Sequence, residues 1–210
     1  MNYKINQMFS IHLAIITLFV LTALTSTGFA QQDLSDLSNW ETEGNWTQKE
    51  NGVLTLKPGP NEEGWKRYGD YLWSKQKYGD FSLELEFKIP KEGNSGVFVR
   101  VKDKADPVDT GIEVQIDDAY GMEKVGRHNC GGVIGTVGPD KNMAKPAGEW
   151  NFMRVIARGS QLKVHLNGEQ VVDVNLENTS RSDRPATGYI GLQDHGLRVW
   201  FRNVKIKELD

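Results

Sequence analysis

The sequence predicts an all-β domain, built as an antiparallel sandwich or jelly roll. Apolar and polar residues alternate over most of the chain after Leu34, which is the period of strands with one buried face. Asn167-Gly168 lies between two apolar stretches and is typical of a two-residue hairpin turn. Beyond the first thirty residues, no segment keeps a 3.6-residue apolar rhythm for three turns. Many short strands without helices indicate two packed sheets.

The N-terminal segment predicts a secretory signal peptide. Lys4 is its only formally charged side chain, residues 13–24 are almost wholly apolar, and small residues precede a cut after Ala30. A membrane anchor is the alternative, but the apolar run is shorter than the roughly 18 residues that a span needs. We therefore expect cleavage of residues 1–30 and one periplasmic or secreted domain over residues 31–210.

Charge and cysteine content limit the partners of the mature chain. Without its first thirty residues the chain has 24 basic and 28 acidic residues, a net charge near −4. This balance provides no basic surface for nucleic acid or anionic membranes, so we expect neither a nucleic-acid partner nor stable membrane insertion. Cys130 is the only cysteine and belongs to no metal motif. An exported protein without disulfides is typical of a bacterial envelope.

Three strands are predicted before a long irregular segment. The apolar side chains of residues 81–89 all share one face. In residues 95–103 the three valines share one face and Arg100 lies on the other. Residues 111–118 read GIEVQIDD, in which three apolar residues face one way. The opposite, polar face of this strand consists of Glu113, Gln115 and Asp117.

Residues 119–149 form a glycine-rich connection without strand periodicity. A loop of this length inside a domain is usually functional or disordered, and its interspersed apolar residues favour a functional loop. Its glycines match neither GxxxxGK[ST] nor a strand-to-helix GxGxxG, so we predict no phosphate cradle. Strands are predicted to resume over residues 151–159, 161–176, 188–194 and 197–209.

Five segments together resemble one bacterial family. They are NSGVFVR (94–100), GIEVQIDD (111–118), KPAGEWN (145–151), HLNG (165–168) and GYIGLQDHGLRVWFRNVKIKEL (188–209). In this order they are similar to the 3-keto-disaccharide hydrolase domain. The resemblance implies a concanavalin A-like jelly roll of two curved antiparallel sheets. It also implies an exported enzyme that cleaves glycosides oxidised to a ketone at C3, and hence a sugar 3-oxidoreductase as functional partner.

The resemblance implies that the concave sheet carries the site. The strand positions that match the family motifs and bear charged or amide groups are Arg100, Glu113, Gln115, Asp117 and Arg202. The QDHG turn before the last strand adds Gln193, Asp194 and His195, and a turn fixed by Gly196 can aim an imidazole at a cleft.

Spacing argues against an ordinary pair of catalytic carboxylates. Glu113 and Asp117 lie four residues apart, about 13 Å in a regular strand, whereas glycosidase carboxyl pairs lie about 5 to 9.5 Å apart. A C3 ketone offers another route, because one base can remove the acidified C2 proton and the C1 substituent then leaves. We expect Glu113 or His195 to be this base, with Arg100 or Arg202 stabilising the enolate oxygen.

The other candidates receive supporting roles. Asp117 and Asp194 are expected to orient the catalytic groups, and Gln115 and Gln193 to bind sugar hydroxyls. Trp65 lies in a glycine- and charge-rich segment and is expected at the rim of the cleft, since a flat ring packs against a sugar. His128 in the long loop is an additional candidate, whereas Trp150 and Trp200 are expected in the core.

Several alternatives stay open. Arg100 and Glu113 could simply pair across neighbouring strands, without a catalytic role. Glu113, Asp117, Asp194 and His195 could hold a divalent metal, and calcium could bind elsewhere in such a fold; no nucleotide or organic cofactor is expected. The competing functions are a non-catalytic carbohydrate-binding domain and a laminarinase-like glycosidase acting on unoxidised glucan.

Overall fold

A computed structural model describes residues 30–210. The predicted apolar run of the signal peptide lies outside the described residues. The strands are β1 (Gln32–Asp33), β2 (Trp40–Glu41), β3 (Trp46–Gln48), β4 (Leu54–Leu56), β5 (Leu72–Ser74), β6 (Phe81–Lys88), β7 (Asn94–Val101), β8 (Ile112–Asp117), β9 (Asn151–Arg158), β10 (Gln161–Leu166), β11 (Glu169–Asn175), β12 (Tyr189–Leu192) and β13 (Val199–Glu208). The helical elements are one turn of α-helix, α1 (Pro107–Thr110), and 3-10 turns over Leu37–Asn39, Tyr68–Asp70 and Leu176–Asn178.

The strands form two antiparallel sheets. One contains five strands in the order β2-β5-β12-β7-β8. The other contains eight, with the path β11-β10-β9-β6-β13-β4-β3 and β1 paired to β13. The predicted all-β antiparallel sandwich is therefore confirmed. None of the helices within residues 30–210 has the length and apolar character that a membrane crossing requires.

Alternating side chains build the core between the sheets. In β6 every second residue from Phe81 to Phe87 is buried, as the sequence predicts. In β8 the apolar set Ile112, Val114 and Ile116 belongs to the same buried cluster. The polar residues of β8 therefore face away from the other sheet, on what we call the outer face of the five-stranded sheet.

The structure confirms the predicted hairpin turn at Asn167-Gly168. Asn167 and Gly168 have φ values of 52° and 93°, the left-handed backbone that a type I′ hairpin turn between β10 and β11 requires.

Trp200 lies opposite Lys88 on the solvent side of β13 and is only partly buried. The Lys88 ammonium lies 4.8 Å from the Trp200 ring and 5.0 Å from the Trp150 ring. Both rings are only partly buried and contact a lysine ammonium. The prediction that these two tryptophans pack in the core is therefore wrong.

The long loop closes the free edge of β8. Gln115 N–H donates to Gly132 O at 2.8 Å, and Ile134 N–H donates to Glu113 O at 3.0 Å. These bonds satisfy backbone groups that an edge strand would otherwise expose. They also place the loop beside the polar side chains of β8.

Candidate functional site

A pocket of about 320 Å³ lies over the polar side of β8. This volume is within the range of small-molecule sites. Its lining combines ionisable, amide and apolar side chains: Trp65, Asn94, Val108, Glu113, Gln115, His128, Ile134, Gln193 and His195. Six of the predicted candidates therefore converge here, namely Trp65, Glu113, Gln115, His128, Gln193 and His195.

Glu113 is the carboxyl group of this pocket. Burial raises its pKa to about 7, against the opposing effects of a hydrogen bond from Gln193 and the charge of Arg181. The Gln193 side-chain N–H donates to the Glu113 carboxylate at 3.0 Å. A carboxyl group that titrates near neutrality can both donate and accept a proton at physiological pH.

Gly96 makes room for this carboxyl group. Its Cα lies opposite that of Gln115 on the adjacent strand, and the Glu113 side chain leans across it. A Cβ atom at position 96 would overlap the Glu113 carboxylate oxygen. A larger residue at this position would therefore have to displace the Glu113 carboxylate.

His195 reaches the pocket from the turn after β12. Burial lowers the pKa of its imidazole, so that the ring is neutral at pH 7 and able to accept a proton. Gly196 follows with φ of 75°, and its N–H donates to the Asp194 carboxylate at 2.7 Å. A Cβ atom on Gly196 would lie 2.5 Å from Glu62 O, so the turn is also packed tightly against the 62–64 segment.

Asp194 anchors the same turn and does not line the pocket. Its side chain is fully buried and lies 2.5 Å from the guanidinium of Arg67. Burial raises the pKa of Asp194, while the Gly196 N–H and Arg67 oppose this effect. Arg67 was not predicted, because nothing in the segment WKRYGDYLW indicates a partner more than a hundred residues away.

Aromatic side chains fix the position of Trp65. The Tyr71 hydroxyl donates to Trp65 O at 2.6 Å, and the Trp73 indole N–H donates to Tyr68 O at 2.7 Å. Tyr71 and Trp73 are buried with Phe98 in a cluster on the outer face. The rim position predicted for Trp65 is consistent with its place in the pocket lining.

Amides supply the remaining polar groups of the pocket. The Gln115 side-chain N–H donates to the Asn94 amide oxygen at 3.2 Å. Gln193 is 3% exposed, and its side-chain oxygen has no hydrogen-bond partner in the described part of the chain. Buried amide oxygens are normally satisfied, so this side chain retains one unused hydrogen-bond acceptor. Asn94, Val108 and Ile134 were not predicted as site residues. Asn94 comes beside the polar side chains of β8 because β7 pairs with β8, which the sequence does not reveal.

Arg100 is not brought to the pocket, although strict alternation would place it there. Between Phe98 and Val101, two residues of β7 oppose a single residue of β12, and Arg100 has φ of 52°. This bulge puts Val101 on the same face as Phe98 and turns Arg100 away. The Arg100 guanidinium instead donates to Asp80 at 2.8 Å, so neither a cleft role nor pairing with Glu113 fits its geometry.

Asp117 and Arg202 also lie outside the pocket. The Asp117 carboxylate accepts hydrogen bonds from Cys130 N–H at 2.6 Å and from the Asn129 amide at 2.9 Å, so it holds the long loop. Arg202 belongs to β13 in the other sheet and pairs with Glu86 at 2.6 Å. Placement in the opposite sheet removes Arg202 from any contact with a ligand of this pocket.

The four residues considered as possible metal ligands do not come together. Asp117 is bound to the loop and Asp194 to Arg67, while Glu113 and His195 line the pocket. Across residues 30–210 there is no group of three or more His, Cys, Asp or Glu side chains arranged to hold a metal ion.

Comparison with known proteins gives a family and several related folds. Residues 31–207 match the family described as the 3-keto-alpha-glucoside-1,2-lyase-like domain. A Bacteroides thetaiotaomicron protein named 3-keto-disaccharide hydrolase is 29% identical over 68% of this chain, and the chain spans 62% of that relative's length.

Solved structures agree on the fold. A Parabacteroides distasonis protein described as a glycosyl hydrolase superposes with a TM-score of 0.74 at 29% identity, covering 86% of this chain and 100% of the other. A carbohydrate-binding module from Bacillus subtilis has a TM-score of 0.55 at 17% identity, covering 87% and 98% of the two chains. The jelly-roll fold implied by the sequence resemblance is confirmed.

Proposed function

Because the chain belongs to the 3-keto-alpha-glucoside-1,2-lyase-like domain family, we propose that it cleaves the glycosidic bond of 3-keto-glycosides. One observation about the pocket supports acid–base chemistry of this kind. Glu113 and His195 line one pocket, and burial raises the pKa of the carboxyl to about 7 and lowers that of the imidazole below its usual 6.5. Near pH 7 such a pair provides a neutral base and a protonated acid in the same site.

The reaction proceeds by elimination at C1 and C2. His195 removes the C2 proton, and the electrons of the C–H bond form an enolate with its negative charge on the C3 oxygen. The enolate then collapses, C1 and C2 become doubly bonded, and the C1–O bond breaks. Glu113 donates its proton to the departing oxygen, and addition of water across the double bond completes a net hydrolysis.

Neutral donors stabilise the enolate oxygen in this scheme. No arginine or lysine lines the described pocket, whereas Asn94, Gln115 and Gln193 bring amide groups to it. The Gln193 side-chain oxygen accepts a hydroxyl of the sugar, and the Asn94 or Gln115 N–H groups are directed at the oxygen of C3. Fixed dipoles act strongly in a partly buried site.

The substrate class follows from the pocket and the relatives. A volume of about 320 Å³ accommodates one sugar ring, with Trp65 at the edge for contact with its apolar face. The Bacteroides relative is named for hydrolysis of 3-keto-disaccharides, and the family description names a 1,2-lyase. Elimination followed by hydration is consistent with both names.

Export and a partner enzyme belong to the same proposal. The family match begins at residue 31, directly after the predicted signal-peptide cut, which supports a mature domain in the periplasm or outside the cell. The ketone must come from an oxidoreductase that acts on C3 of the glycoside. Mass spectrometry of the N-terminus of protein from the periplasm and from the medium tests the cut.

A substrate comparison tests the activity. Purified protein is incubated with 3-keto-trehalose, 3-keto-glucosides and their unoxidised parents, with and without a chelator, and release of the leaving group is followed. We expect turnover of the ketones alone. Binding without turnover would make the protein a carbohydrate-binding domain, and turnover of the parent sugars would make it a conventional glycosidase.

Two variants test the assignment of residues. Glu113→Gln and His195→Ala should each lower kcat by about 100-fold or more, the lower end of acid–base catalysis. Solvent exchange of deuterium at C2, measured by NMR, should be lost in His195→Ala and retained in Glu113→Gln. Retention of exchange in both variants would refute His195 as the base.

A further inference from the structure

A second pocket, lined by three arginines, lies beside the candidate active site. It has a volume of about 180 Å³, and Arg100, Arg181 and Arg184 contribute to its wall. We call it the arginine pocket. Arg181 joins it to the first pocket, because its guanidinium donates to Val108 O at 3.0 Å and Val108 lines that first pocket.

The three guanidinium groups differ in their partners. Arg100 pairs with Asp80 at 2.8 Å, and Arg184 pairs with the exposed Asp183 at 2.9 Å. Arg181 has no carboxylate oxygen within 4.0 Å among residues 30–210. The pocket therefore contains one guanidinium whose charge is not directly neutralised.

Arg181 also has an unsatisfied donor. Its Nε–H is buried and has no hydrogen-bond partner within the described chain, although the two terminal nitrogens contact backbone carbonyls. Burial, together with the nearby charge of Arg184, lowers the pKa of Arg181. A buried donor without a partner is rare in folded proteins, so the Arg181 guanidinium is held by fewer hydrogen bonds than it can form.

The chemistry of a ligand for this pocket is narrowly defined. Guanidinium groups present planar sets of N–H donors that match the oxygens of phosphate, sulfate and carboxylate. The pocket volume equals that of several water molecules at about 30 Å³ each, enough for one small oxyanion. Glu177 also lines the pocket but is exposed, so its carboxylate lies at the solvent-facing rim and disfavours anions too large to fit inside the pocket.

We propose that the arginine pocket binds one small oxyanion, with Arg181 and Arg184 as its principal ligands. The proposal is independent of the reaction at Glu113. Phosphate, sulfate and a carboxylate share the required chemistry, and separate titrations distinguish them.

Titration of the full mature chain tests the site. Sodium phosphate, sulfate or acetate is added at constant ionic strength, with chloride as the balancing ion, and binding is followed by calorimetry and by the arginine Nε–H signals in NMR. We expect saturable one-to-one binding of at least one anion and a shift of a single buried Nε–H signal. Binding of none of the three to the wild-type chain would overturn the proposal.

Matched variants locate the site. Arg181→Gln should weaken binding by about tenfold or more, as expected for loss of charge-assisted hydrogen bonds. Arg158→Gln removes the same charge from an exposed position and should leave binding unchanged. If Arg181→Gln does not unfold cooperatively, Arg184→Gln replaces it with the same expected weakening. Equal binding in wild type and the pocket variant would refute the assignment.

Discussion

Gln193 donates a side-chain hydrogen bond at 3.0 Å to the carboxylate of Glu113, although 80 residues separate the two in sequence. The backbone of Gln193 is fixed beside β7, since its N–H donates to Gly96 O and its carbonyl accepts the Ser95 hydroxyl, both at 2.9 Å. A rigid amide thus orients the ionisable group of the pocket.

Glu113→Gln should stabilise the fold at alkaline pH while it abolishes activity. The folded state raises the pKa of Glu113 from 4.5 to about 7, so the folded protein holds a proton that the unfolded chain has released between these values. Stability therefore falls as pH rises through this window, by ~3 kcal/mol at most. Denaturant unfolding at pH 5 and pH 8 should show this loss in wild type and its absence in Glu113→Gln. Glu123→Gln, on the exposed loop, is the control that should behave as wild type.

The pH profile of kcat/KM should be a narrow bell. Activity requires neutral His195, whose pKa lies below its usual 6.5, and protonated Glu113, whose pKa is about 7. The rate should fall as pH drops below the imidazole pKa and as it rises above that of the carboxyl group. Steady-state kinetics on a 3-keto-glycoside measure both limbs. An alkaline limb near 7 that persists in Glu113→Gln would contradict its assignment.

Gly96→Ala should inactivate the protein without unfolding it. The new methyl group would overlap the Glu113 carboxylate and displace it from Gln193. A shift of about 1 Å in a catalytic group can lower the rate by roughly 100-fold. Gly126→Ala is the matched control, because open space surrounds its Cβ position. Normal kinetics in Gly96→Ala would show that the position of Glu113 does not matter for turnover.

Arg67→Met should destabilise the turn that presents His195. It leaves the buried Asp194 carboxylate without its partner. Removal of one partner from such a pair lowers the free energy of unfolding by about 3 kcal/mol. Arg67→Met combined with Asp194→Asn should recover most of the stability but not kcat, since the turn loses its charged anchor. Chemical unfolding and kinetics of the single and double variants form the required cycle. Full recovery of kcat in the double variant would make the pair purely structural.

Trp65→Ala should weaken substrate binding more than catalysis. The ring lines the pocket but has no proton to transfer, so KM should rise by about tenfold, comparable to other lost aromatic contacts. Trp200→Ala removes a partly buried ring from the opposite sheet and should leave KM unchanged. A selective loss of kcat in Trp65→Ala would instead place the ring at the reacting atoms.

The sequence by itself determined the strands over residues 81–89 and 111–118 and the face that each of their side chains takes. Alternation in residues 81–89 and 111–118 was sufficient, because the two-residue period is a property of the local backbone. The same local chemistry placed the hairpin turn at Asn167-Gly168. The alternation placed Glu113 and Gln115 on the polar face of their strand, and the family resemblance identified them and His195 as site candidates.

Only the tertiary structure decided which candidates meet. One extra residue in β7 turned Arg100 out of the cleft, and strand order put Arg202 in the other sheet. Arg67 became an anchor because packing brought it to Asp194. Bulges and partners across a sheet depend on contacts between residues far apart in the chain, and a two-residue period contains no information about them.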